Sequence, residues 1–557
     1  MKDAPDPERC GDPDRVAPRS PAGSTASWRL ASLGFFVALA VVHTWPLASA
    51  PGVLSRNDVA DTVLHEWILA WVAHQLVSDP LQLFDANIFY PERHTLAYSD
   101  HLIVQSLMGA PLTWAGFSPV LVHNVVLIAG YALTGWTTAL VVARWTGSRA
   151  AGLLSGSLVA FSAFTLTRLP QIQDLHFEFF PLVLLALDRL LIYGRVRDAL
   201  ALSGWFVLQS LTGTYLMVFT AISSVAATLA RPRDWLGARF VVVVPKAALA
   251  AAVAVAALTP FLLPYLVVSR EAGLSRSLDE TARYSAELTD YLAAAGTFHF
   301  EAWSGRFWQG DGLFPGLTAL ILAAIAIVLG PGLRDRRIRM VLVLGVVAFA
   351  LSFGPAFPPY RWLYSVFPLL TGIRGAVRLG QIVIAAVGIL AGFGLAAVLK
   401  RAAGRAAAPI AMALILAANF EAFRAPLGYT EYRGIPAFYD ALRQAGDEAV
   451  VVSMPFYASP QFHLNDRFML ASTRFWKPML NGYSGFKPAS FYRNVEALRS
   501  FPDEGSIAHL RALSVTHVVV DGRNMAAAAL ERLERFPELQ TLTSDGTLRL
   551  YLLTRAN

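Results

Sequence analysis

Cysteine is nearly missing: Cys10 is the single one in 557 residues, which excludes a disulfide framework, a cysteine-based zinc site and an iron–sulfur centre. Charge is scarce too, at 15% of residues against about 25% in ordinary soluble domains. No Walker loop and no dinucleotide fingerprint occurs, so ATP or NAD chemistry has no visible seat. What fills the space is apolar: AVILMFWYC residues make up 55% of the chain and the mean hydropathy is +0.48. A chain this apolar cannot hide its surface in one aqueous core, and it needs lipid.

A crossing helix takes about 20 apolar residues. Runs near that length lie at 30–50, 119–143, 150–166, 177–193, 199–212, 215–230, 240–264, 313–330, 340–355, 380–399 and 409–423. The stretch 103–117 is short and bounded by proline, so it reads as a helix at the outer interface. The positive-inside rule tests this count. Arg144 and Arg149, Arg195 and Arg197, Arg231, Arg233 and Arg239, Arg334 to Arg339, and Lys400, Arg401 and Arg405 all fall on one side only if 103–117 does not cross. The expectation is an α-helical polytopic membrane protein of about eleven spans, N-terminus cytoplasmic, in a bacterial inner membrane. The formal charge of +7 is then a topology signal, and no nucleic-acid partner is expected.

Residues 1–28, rich in Pro, Asp, Arg and Ser, read as a disordered cytoplasmic tail. Ala48-Ser49-Ala50 resembles a signal-peptidase site, but the long tail before it and Pro51 after it favour an uncleaved first span. Three segments, 51–118, 265–312 and 355–379, are too long to be plain outer connectors. Beyond 424 short β-rich runs (449–452, 517–521, 548–553) alternate with helical patterns such as 524–535, as in an extracytoplasmic α/β domain over 424–557.

Ionisable residues near a bilayer are costly and mark function. The first outer loop carries Asp58, Asp61 and His65 at i, i+3, i+7, one face of a helix, followed by Glu66; a solvated amphipathic helix is the competing reading. Farther on stand Asp100 and His101. A second polar knot runs from Arg168 through Gln171 and Asp174 to His176, where His176 could equally cap the next helix. A third holds Arg374 and Arg378, four apart and so expected on one helical face; their planar forks suit phosphate, with anchoring to lipid headgroups as the alternative. Arg270, Arg276 and Arg283 are further outer-side basic residues. Mid-membrane charge is limited to Asp188, Arg189, Lys246 and Glu421, unlike ion-coupled transporters with midplane sites.

This layout resembles the C-type glycosyltransferases (the GT-C superfamily), polytopic enzymes that use polyprenyl-phosphate-linked sugars. The matching features are Asp58-Val-Ala-Asp61 opening a long outer loop, an interface helix ending in Phe117-Ser-Pro-Val120, and a turn Ala143-Arg-Trp-Thr-Gly-Ser-Arg149 like that of protein O-mannosyltransferases and aminoarabinose transferases. Trp67-Ile-Leu-Ala-Trp71, Ala86-Asn-Ile-Phe-Tyr-Pro91, Phe314-Pro-Gly316 and Asn481-Gly-Tyr-Ser-Gly-Phe-Lys-Pro488 are similar to motifs of bacterial multi-span relatives. The resemblance covers most of 30–423 and reaches into the C-terminal region.

The resemblance implies Asp61 as base on the acceptor hydroxyl, with Asp58 second. No cofactor is required; a divalent cation, Mg or Mn, would be held by Asp58 and Asp61, although no strict Asp-x-Asp or Asp-Glu pair is present. Arg374 and Arg378 would hold the donor phosphate with Arg168 or His176 as helpers. His65, Glu66, Asp100, His101, Asn481, Tyr483 and Lys487 would bind the acceptor. Partners are then a lipid-linked sugar donor, membrane lipid, and a glycan, lipid or protein acceptor. The competing functions are a lipid or polysaccharide flippase, a non-catalytic assembly protein whose C-terminal part recruits partners, and a ligase for lipid-linked glycans.

Overall fold

The computed structural model describes residues 22–272, 277–310, 312–402 and 404–554. Most of the expected tail, and Arg276, lie outside them. Among the described residues six helical stretches are long and apolar enough to cross a membrane: Thr25–His43, Pro119–Thr146, Arg149–Thr167, Gly237–Glu271, Ala376–Arg401 and Gly404–Ala422. Shorter helices, Phe179–Tyr193, Val196–Ser210, Thr214–Leu229, Leu317–Val328 and Arg336–Ser352, occupy the remaining apolar runs. At about 1.5 Å per residue these cover less than a full bilayer, so length alone does not make them spans.

Local chemistry sets the ends. The Pro119–Thr146 helix starts with the Ser118 hydroxyl accepting from Leu121 N (3.2 Å) and proline at its first position. It stops at Gly147 in the left-handed conformation (φ +72), where a side chain would be strained. Close packing needs small residues: a Cβ at Gly135 or Gly156 would fall 2.4 Å from the fully buried Phe36 ring. The interface helix forms as Ile103–Trp114, with Leu107 and Trp114 exposed.

The C-terminal segment carries the expected mixed structure. Strands β3 (Val451–Met454), β4 (His517–Asp521), β5 (Leu539–Asp545) and β6 (Leu548–Leu553) form a sheet in the order β3-β4-β6-β5, parallel only between β3 and β4. Two-residue strands β1 (Leu54–Ser55) and β2 (Thr430–Glu431) pair antiparallel, tying the first loop to the chain just after the last long helix. A stronger tie lies deeper. The run Pro478–Asn481 is bonded on one side to β3 (Val451 N to Pro478 O, 2.8 Å; Leu480 N to Val451 O, 2.9 Å). On its other side it bonds the first loop: Met479 N to Asn87 O and Tyr90 N to Met479 O, both 2.9 Å, and Phe89 N to Asn481 O, 3.2 Å. The sheet is thereby continued into the membrane body by backbone pairing.

Charges buried in the helical body are paired. Asp188 accepts from Arg231 Nη1 (2.6 Å) and Arg337 Nε (3.0 Å), and Arg231, fully buried, also bonds Asp234 (2.7 Å). Asp188→Ala should lower stability by about 3 kcal/mol, because the buried Arg231 guanidinium loses the more buried of its two counter-charges and keeps only Asp234. The check is the melting transition of the purified chain in detergent.

Candidate functional site

Asp61 sits in the first turn of the Ala60–Ser78 helix, where the helix dipole favours a carboxylate. That helix is buried along most of its length, with Trp67 and Trp71 stacked 6.1 Å apart and Trp71 Nε1 donating to Leu83 O (2.9 Å). The carboxylate is held from two sides: Gln171 Nε2 donates to Oδ2 (3.0 Å) and the Tyr483 hydroxyl to Oδ1 (3.1 Å). One turn on, His65 Nδ1 lies 2.8 Å from the Pro170 carbonyl. A carbonyl can only accept, so the proton is on Nδ1. Burial pushes the His65 pKa below its ordinary value, and the ring is neutral.

The arginines approach from the other end of the chain. Glycines at 372 and 375 bracket an extended stretch before the short turn Ala376–Leu379, so Arg374 and Arg378 do not share a helical face as their spacing suggested. Arg378 turns inward, 3.5 Å from Asp174 and over the Tyr215 ring (4.7 Å). Arg374 is exposed; its guanidinium rests over Tyr284 (5.1 Å) and pairs with no carboxylate among the described residues. The Tyr215 hydroxyl accepts from the backbone N–H of Arg374 (3.2 Å) and Gly375 (3.3 Å). Asp100 caps the Thr214–Leu229 helix, its Oδ1 accepting from Thr214 N (2.7 Å) and Oγ1 (2.6 Å). Arg378 lies within Coulombic range of Asp174, Tyr215, Asp100 and Asp61, and Tyr483 within range of Asp61, Asp466 and Arg374. Asp61, Asp100 and Asp174 thus lie near Arg378, as does Tyr215, and Asp466 and Arg374 lie near Tyr483.

Other expected site residues are placed elsewhere or already engaged. Asp58 precedes the helix instead of riding its face, and pairs at the surface with Arg56 (3.1 Å). Both ring nitrogens of fully buried His176 are occupied, by Glu178 Oε1 (2.9 Å) and Val126 O (3.2 Å); it does not cap the following helix, which starts at Phe179. The Arg168 guanidinium stacks on Phe164 (4.7 Å). His101 is buried and accepts from Ile103 N (3.3 Å); desolvation lowers its pKa to about 4. Asn481 is locked inside the C-terminal segment, bonded to both backbone groups of Ser453 and to Asn465. Lys487 donates to Ser459 Oγ (3.0 Å) above the Phe462 ring, one ring removed from Tyr483.

Gln171 and Asp174 stood inside the second polar knot without being singled out, and Tyr215 and Tyr284 carried no sequence signal beyond being aromatic. No group of three or more His, Cys, Asp or Glu side chains is set to hold a metal among the described residues. Asp58 is engaged by Arg56, and Asp61 by Gln171 and Tyr483.

No protein-family model matches the chain, and no curated protein matches it in sequence. Solved structures do. The arabinofuranosyltransferase AftD from Mycobacteria superposes over 95% of this chain with a TM-score of 0.61 at 16% identity. The match covers 40% of AftD, so the chain spans well under half of that protein's length. ArnT from Cupriavidus metallidurans aligns over 95% of this chain and 98% of its own at TM-score 0.47 and 14% identity. An Archaeoglobus fulgidus oligosaccharyltransferase aligns over 95% and 74% at 0.42 and 12%. The chain thus shares the fold of the part of AftD that it covers.

Glu66, expected to touch the acceptor, is instead fully buried beneath Ser55, whose hydroxyl donates to Oε1 (2.7 Å), while Oε2 has no partner. Burial and the nearby Asp466 raise it to about 8; burial raises Asp466, on the C-terminal segment, to about 7. Folding therefore favours their protonated forms, and stability falls as pH rises from the ordinary carboxyl range, near 4, through about 8. The melting temperature should drop over that window, and Glu66→Gln with Asp466→Asn should flatten the profile.

Proposed function

We propose that the chain is a glycosyltransferase that moves a sugar from a polyprenyl-phosphate donor to an acceptor hydroxyl at the outer face of a bacterial inner membrane, with inversion at the sugar carbon. The observation that carries this reading is that Arg378 lies within Coulombic range of Asp61, while Tyr483, which donates to Asp61, lies within range of Arg374. The shared fold supports it. On this reading the body crosses about eleven times, with the shorter helices completing the count, and the segment 424–557 is an extracytoplasmic domain.

The chemistry divides cleanly. Asp61 takes the proton of the acceptor hydroxyl, worth about 10²–10⁴-fold as general base, while the acceptor oxygen forms its bond to the anomeric carbon. The bond from that carbon to the phosphate oxygen breaks, and the phosphate leaves with the electron pair. Charge grows on its oxygens as it departs, and a preplaced guanidinium stabilises that growth more than it stabilises the ground state. Arg374, unpaired and exposed, is the phosphate ligand; Arg378, partnered by Asp174, supports it from beneath.

In proteoliposomes supplied with polyprenyl-phosphoryl pentoses and hexoses, Asp61→Asn should abolish release of polyprenyl phosphate while the protein inserts and melts as the wild type does. Full activity in that variant removes the base assignment. Arg374→Ala should raise the donor KM by about 10–100-fold, since a charge-assisted bond contributes about 1.5–3 kcal/mol; an unchanged KM places the phosphate elsewhere.

A further inference from the structure

Among the described residues, the donor that reaches Asp61 from beyond the membrane body is Tyr483. We propose that Tyr483 is a positioning residue for the base, and that docking of the C-terminal segment onto the first loop is what completes the catalytic carboxylate. This rests on the reading of Asp61 as base.

The geometry is built for that purpose at three successive residues. Asn481 is anchored to the Ser453 backbone and its own carbonyl accepts from Phe89 N. Gly482 lies against Phe89: a Cβ there would meet the ring at 2.7 Å, so only glycine lets the run come this close. Tyr483 follows, its N–H directed at Met469 Sδ (2.8 Å) and its ring 5.3 Å from that of Phe462. Backbone, ring and hydroxyl are each fixed before the phenol meets Oδ1.

With Gln171 on Oδ2 and Tyr483 on Oδ1, each carboxylate oxygen carries one donor. The plane of the group is set, and each oxygen keeps a lone pair for the acceptor proton. Neither donor needs to touch substrate, so loss of the phenol should fall on the chemical step and not on binding.

Tyr483→Phe should lower kcat about 10-fold with the KM of the donor unchanged, using whichever polyprenyl-phosphoryl pentose or hexose the wild type turns over. Gly482→Ala, which keeps the phenol but shifts its run, should do the same. Independently of turnover, the infrared difference between wild type and Tyr483→Phe should contain a phenol C–O band that moves when Asp61 is replaced by Asn. An unmoved band, or wild-type kcat in Tyr483→Phe, overturns the proposal. A rise in acceptor KM alone does so as well, because it makes Tyr483 an acceptor contact. Activity retained in Asp61→Asn strikes the underlying base assignment instead, and the two failures are distinct.

Discussion

Three backbone hydrogen bonds, between Asn87, Phe89 and Tyr90 on one chain segment and Met479 and Asn481 on the other, hold the C-terminal sheet to the membrane body. Their consequences reach well beyond their number. Backbone pairing fixes register to a single residue, and a slip by one would turn Tyr483 to the opposite face. The same pairing presses Gly482 onto Phe89 and buries Glu66 and Asp466 beneath the contact. Burial raises both carboxyls, so stability falls as pH rises from the ordinary carboxyl range through about 8, whereas contacts built on ionised carboxylates weaken as pH falls.

Charge within the cluster is unevenly balanced, and the imbalance is informative. Asp61, Asp100 and Asp174 outnumber Arg374 and Arg378, yet each carboxylate has its own donors: a phenol and an amide for Asp61, a helix N-terminus for Asp100, a guanidinium for Asp174. Arg374 has an aromatic face and, among the described residues, no carboxylate partner. A cation so placed is ready for an incoming anion, while a second anchored one nearby keeps the local potential from repelling it. The two tyrosines beneath the arginines fix guanidinium planes without neutralising them.

The apolar runs were legible because a crossing helix must satisfy its backbone internally, and a helix occupies each expected stretch. Their lengths were less so: Leu317–Val328 has 12 residues within the expected run 313–330. Strand β5 escaped notice because its sequence, Leu-Gln-Thr-Leu-Thr-Ser-Asp, is that of an edge strand, exposed on most positions, with only its pairing to β6 to declare it. Within the cluster, Asp61 could be found from its place after the first apolar run. Its donors could not, lying 110 and 422 residues away, where no local periodicity reports on contact. The arginine pair was recognised but misplaced in geometry, because Gly372 and Gly375 break the helix that the spacing implied.

A polyprenyl chain dissolves only in lipid and a sugar acceptor only in water, so a catalyst joining them must hold one group against each phase. The division of labour between chain segments follows that partition. On the proposed function, the guanidinium groups, which come from the segment entering a long apolar helix, Gly380–Arg401, serve the lipid-bound reactant. The carboxylate, on a loop helix that Tyr483 of the C-terminal segment reaches, serves the soluble one. Linking the base to that segment through Tyr483 means that the carboxylate is fully oriented only where a water-facing surface is present to receive an acceptor.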